Sequence, residues 1–92
     1  MPPARPHGLN AVATPGAINL IWEANTEPDL AGYYVWRAIV GQPLQRITPE
    51  AVADASFFDN VRPGVRFVYA VQAVDKAGNA SPLSDGVEES AR

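Results

Sequence analysis

From Leu9 to Val87 the chain is a succession of short β-rich runs, recurring at roughly 8 to 12 residues and each closed by Pro, Gly, Asn or Asp. Nowhere do apolar residues recur at every third or fourth position over the length of a helix. This periodicity points to an all-β sandwich or barrel built from seven strands. The strands are expected over Leu9–Thr14, Ala17–Ala24, Gly32–Val40, Leu44–Ile47, Ser56–Asp59, Val65–Asp75 and Ser81–Val87. Pro15-Gly16 closes the first hairpin, and Pro28 keeps Asn25–Leu30 out of any ladder because proline has no N–H to donate. Pro49–Asp54 reads as one helical turn.

Side chains alternate across a strand, so Ile18, Leu20 and Trp22 share one face, as do Tyr33 with Val35 and Tyr69 with Val71. These seven are the expected core, with the two sets of strands stacked over them. At 92 residues the chain can build one such core and not two. A composition of 47% hydrophobic and 18% charged residues is that of a folding domain, well away from the charged, apolar-poor profile of disorder.

Several function classes drop out on composition. The formal charge is −3, and the seven basic residues are scattered, so no footprint for a phosphate backbone exists and nucleic acid is not an expected partner. No apolar run approaches the ~20 residues that cross a bilayer, so membrane insertion is not expected, and Met1–Gly8 lacks the apolar stretch of a secretory signal. With no cysteine there are no disulfides, thiolate metal sites or thiol nucleophiles.

Read in order, the chain presents Pro6-x-x-Leu9; Ile18-x-Leu20-x-Trp22; Pro28-Asp29-Leu30-x-Gly32-Tyr33-x-Val35-x-Arg37; Phe57-x-Asp59 with Val61-x-Pro63-Gly64; and Phe67-x-Tyr69-x-Val71-x-Ala73-Val74-Asp75-x-x-Gly78-Asn79-x-Ser81. Together these resemble the fibronectin type III family, in the variety common in bacterial secreted and cell-surface proteins, over residues 6–87. The resemblance implies a seven-stranded immunoglobulin-like β-sandwich of two antiparallel sheets. It also implies an extracellular or cell-surface location, with neighbouring domains of a parent chain as the first partners. A domain over residues 7–88 is expected, with a Pro-rich linker at 1–6 and a tail or linker at 89–92. One departure stands out. Where the family places the hydroxyl of its tyrosine corner, this chain has Phe67, and Tyr69, two residues on and on the same face, is the candidate to make a polar contact instead.

Catalytic chemistry is not expected. The one histidine, His7, lies in the Pro-rich lead-in with nothing to hold it against a nucleophile, and the one lysine, Lys76, falls in an exposed turn. Glu88 and Glu89 point to opposite faces of a strand, and Asp54 and Asp59 bracket one, so neither pair is an acid/base couple. No phosphate cradle or metal-spaced histidine cluster is present, and no cofactor is expected. Asn25, Glu27, Asp29, Asp75 and Asn79 would gather at one end of the fold as calcium-type oxygens, though such residues more often bond their own turns.

The candidate binding face is aromatic. With Tyr33 and Val35 in the core, alternation sends Tyr34 and Trp36 outward, beside Val68, Ala70 and Gln72 of the long strand. Two large rings cover roughly 300 to 500 Å², about half of one side of a standard protein interface or a platform for a sugar ring. The leading expectation is a non-catalytic spacer module, monomeric in isolation. The alternatives are recognition of a protein or polysaccharide through this face, and an accessory domain of a secreted enzyme.

Overall fold

The computed structural model describes residues 2–92 and holds seven strands: β1 (Asn10–Thr14), β2 (Ala17–Ile21), β3 (Leu30–Ile39), β4 (Gln45–Arg46), β5 (Ser56–Asn60), β6 (Arg66–Asp75) and β7 (Val87–Ser90). All pairings are antiparallel, in two sheets of order β1-β2-β5 and β4-β3-β6-β7. The seven-stranded two-sheet sandwich expected from the spacing of the runs is therefore the observed architecture.

The alternation that named the core holds residue by residue. Ile18, Leu20, Tyr33, Val35, Tyr69 and Val71 are almost entirely shielded from solvent, and Trp22 is 7% exposed. Trp22 meets Tyr33 edge to face, with ring centroids 5.2 Å apart, the arrangement that ring quadrupoles favour. The Tyr33 hydroxyl finds a partner at the end of the sheet, accepting the Asn25 amide at 2.6 Å.

Two local expectations are corrected. The Pro49–Asp54 segment is not a helical turn. Val52 instead forms an isolated bridge to Tyr33, exchanging both backbone hydrogen bonds at 2.9 Å. This bridge satisfies the start of β3, next to the bulge where the register shifts between Leu30 and Gly32.

The last strand is the second correction. It spans Val87–Ser90 and not Ser81–Val87. Residues 81–84 do run beside β6, but Pro82 has no N–H, and hydroxyl groups take over the ladder. Ser81 donates its amide to the Ala73 carbonyl and its Oγ accepts the Ala73 amide, at 2.8 and 2.9 Å. Ser84 does the same for Val71 at 2.7 and 3.0 Å. On the opposite edge Thr48 Oγ1 accepts the Val35 amide while Ile47 donates to the Val35 carbonyl. Three buried hydroxyls thus complete the two long central strands where regular pairing stops.

Both ends of the chain are drawn into the sandwich. Pro3 and Pro6 are buried, and Asn25 and Glu27 hold the Ala4 backbone through Nδ2 to its carbonyl and Oε2 to its amide. At the other end Ala91 is buried, and Arg92 exchanges backbone hydrogen bonds with Thr14 and Gly16.

Candidate functional site

The register of the four-stranded sheet sets Tyr34 opposite Gln72, Trp36 opposite both Ala70 and Arg46, and Ala38 opposite Val68, all on its outer face. The five residues expected to form a binding face are therefore brought together. Tyr34, Trp36, Val68 and Gln72 are half-buried there, and Ala70, the smallest, is buried beneath its neighbours. The Trp36 indole N–H donates to Gln72 Oε1 at 2.7 Å, and Gln72 Nε2 donates on to the Ser81 carbonyl at 2.9 Å. A ligand on this face would meet ring surfaces, since the indole N–H is already engaged.

Arg46, which sequence reasoning did not single out, lies with its guanidinium 4.3 Å from the Tyr34 ring centroid. The expectation of a strand over Leu44–Ile47 carried the only signal for it. The register, which depends on the Gly41–Leu44 turn, was what was missing.

A second cluster was missed more completely. Arg37 shares the core phase of Tyr33 and Val35, and it enters the end of the interior to meet Asp59 of β5. Arg37 Nη1 donates to Asp59 Oδ1 and Oδ2 at 3.0 and 2.9 Å. The Tyr69 hydroxyl donates to Asp59 Oδ2 at 2.6 Å, so Tyr69 does supply a polar contact in place of the hydroxyl that Phe67 lacks. Phe67 contributes its ring, 5.2 Å below the Arg37 guanidinium. Burial, followed by the Asp59 carboxylate, pushes the Tyr69 hydroxyl far above its ordinary titration range, which keeps it a donor at any physiological pH. The signal was present: an arginine and an aspartate both on core-facing phases require each other, because a buried charge needs a partner.

The oxygen-rich loops separate into two groups. Asp75 caps its own turn, accepting the amides of Ala77 and Asn79 at Oδ1 and the Asn79 side chain at Oδ2, with Gly78 taking the positive φ of +89°. The Asn79 amide, first among these, holds the Asp75 carboxyl below the usual range, so the cap's contribution is complete above that range and is lost as pH falls below it, through the lowered pKa. Asn25 and Glu27 are committed to Ala4. Among the described residues no three His, Cys, Asp or Glu side chains converge.

No family model matches the chain. It is 32% identical over 83 residues to an amylopullulanase of Thermoanaerobacterium saccharolyticum, a match spanning 89% of this chain and only 6% of that enzyme. Among solved structures it superposes on an Fn3-like protein from Clostridium thermocellum with a TM-score of 0.78 and 28% identity, covering 96% of this chain and 92% of the other. A β-1,2-glucanase from Parabacteroides distasonis gives a TM-score of 0.79 and 26% identity over 95% of this chain and 12% of the enzyme. With two antiparallel sheets, the expected core and these neighbours together, the chain is a β-sandwich of the fibronectin type III fold.

Proposed function

We propose that the chain is a non-catalytic accessory module of a larger, extracellular polysaccharide-acting enzyme, in which it holds neighbouring domains at a set distance. One observation carries this reading. Ala4 is bound to the loop that follows β2, whereas Arg92 is bound to the turn that precedes β2, so the two attachments sit at opposite ends of that strand, in a body whose longest extent is 39 Å and whose width is about half that. Both attachments are hydrogen-bonded, so the geometry at the ends is stiff. The similarity to small segments of an amylopullulanase and a β-1,2-glucanase supports the kind of parent. Fusing a fluorescent protein to each end and measuring energy transfer tests it: a single narrow distance is expected, longer than in a variant carrying Glu27→Ala and Asn25→Ala. A broad distribution already present in the parent fusion would refute the spacer role.

A second reading rests on the row of Tyr34, Trp36 and Arg46 on one sheet face, which suits contact with a sugar or protein surface. Because Trp22 is buried, quenching of tryptophan fluorescence by soluble polysaccharide would report Trp36. Under this reading quenching occurs in the parent and disappears in Trp36→Ala. No quenching in the parent removes it.

A further inference from the structure

At the end of the sandwich nearest Arg92 the β3–β4 hairpin flanks a half-open cavity of about 310 Å³ lined by Arg37, Ile39, Gln42, Gln45, Ile47 and Phe67 among others. Its size falls at the lower limit of ordinary small-ligand sites. The side chain at its centre is unusually well fixed for an arginine. Asp59 grips Arg37 through Nη1 alone, and Phe67 supports the guanidinium plane from below. Arg37 Nε and Nη2 have no protein partner, and the side chain is 31% exposed, so these donors face solvent at the cavity. The Gln42 and Gln45 side chains on the hairpin are exposed, and among the described residues neither carboxamide makes a hydrogen bond.

These groups define a chemistry. Asp59 neutralises Arg37, and no other charged residue lines the cavity, so the site as a whole carries no net charge to select an ion. What it offers is three planar hydrogen-bonding groups, one guanidinium edge and two carboxamides, around walls supplied by Ile39, Ile47 and Phe67. Planar paired donors and acceptors match adjacent hydroxyls on a ring, and an apolar wall matches the C–H face of the same ring.

We propose that this cavity is a subsite for one ring of a neutral saccharide, with Arg37 as the fixed donor and Gln42 and Gln45 as the adjustable pair. That a saccharide is the ligand presented to this site rests on the accessory-module reading above; the cavity chemistry does not. It is separate from the aromatic face, which lies on the outer surface of the same sheet, whereas Arg37 points inward.

The test is titration of the isotopically labelled domain with maltotriose, followed by backbone amide shifts. Saturable shifts confined to residues 37–47 and Phe67 are expected, at millimolar affinity as befits a single small ring. The double variant Gln42→Ala with Gln45→Ala, which removes two exposed side chains and leaves the hairpin's backbone bonds in place, should fold normally and lose about tenfold or more in affinity. Sodium acetate is the second probe: if it shifts the same amides and maltotriose does not, the site selects a carboxylate and the proposal fails. Shifts around Tyr34 and Trp36 alone, or none at all, also overturn it, while the energy-transfer measurement on the spacer role is untouched by either outcome.

Discussion

Asp59→Ala is expected to destabilise the domain by about 2–4 kcal/mol, because it strips two groups of their only charged or strong acceptor at once. The Tyr69 hydroxyl is fully buried and would be left without a partner, and Arg37 would lose the carboxylate that justifies its place at the end of the core. The figure sits below the value for a fully buried pair because the Arg37 side chain is 31% exposed and can recover some hydration. In a domain of this size the loss corresponds to a drop of roughly 10–25 °C in Tm, read by circular dichroism or calorimetry. Asp59→Asn should fall between parent and alanine, since it keeps an acceptor for Tyr69. If Asp59→Ala melts within a few degrees of the parent, the triad is decorative and our account of this end of the core is wrong.

Gly32→Ala should cost about 2–4 kcal/mol through a different mechanism. Gly32 lies in the bulge with φ +154°, and a Cβ placed there would stand 2.5 Å from the Val52 carbonyl oxygen and 3.1 Å from the Ala51 Cβ. The obstructing oxygen is the one that accepts the Tyr33 amide, so it cannot retreat without breaking the bridge that completes the start of β3. Gly78→Ala supplies the control, because its φ of +89° carries strain with nothing within 4 Å. Urea denaturation should find Gly32→Ala clearly the more damaging of the two. Equal losses would mean that backbone strain alone, without the collision, accounts for both.

How much of this was legible from the amino acids follows a physical division. Period-two alternation is a local property, and it named the faces of β2, β3 and β6 correctly, from Ile18 through Val71 on the inside to Tyr34 and Trp36 on the outside. Register is a property of pairs of strands. That Arg46 lies opposite Trp36 depends on how the β3–β4 turn closes, and no local pattern encodes it, whereas the core-facing phases of Arg37 and Asp59 hinted at a pairing across the two sheets, 22 residues apart. The misplaced last strand has a third cause. Ser81 to Val87 does track its neighbour, but it does so through serine hydroxyls where a β-propensity argument sees only extended chain. The residues of the candidate face were legible as neighbours, yet the bond from Trp36 to Gln72 that organises them requires the cross-strand pairing of Tyr34 with Gln72.

The sandwich has unequal flanks. Along the four-stranded sheet, Thr48, Ser81 and Ser84 occupy amides that a foreign strand would otherwise capture. β5 has no such cover: among the described residues none of Ser56–Asn60 bonds to backbone on the side away from β2, and Phe58 there is 57% exposed. The one charge on that strand is Asp59, which is turned inward and already paired with Arg37, so it puts no charge on the free edge. β5 is therefore the flank open to cross-β stacking, and a chain destabilised by loss of the inner carboxylate would spend longer with its Phe57-Phe58 run uncovered, so that molecules would be lost to insoluble assemblies before they could refold.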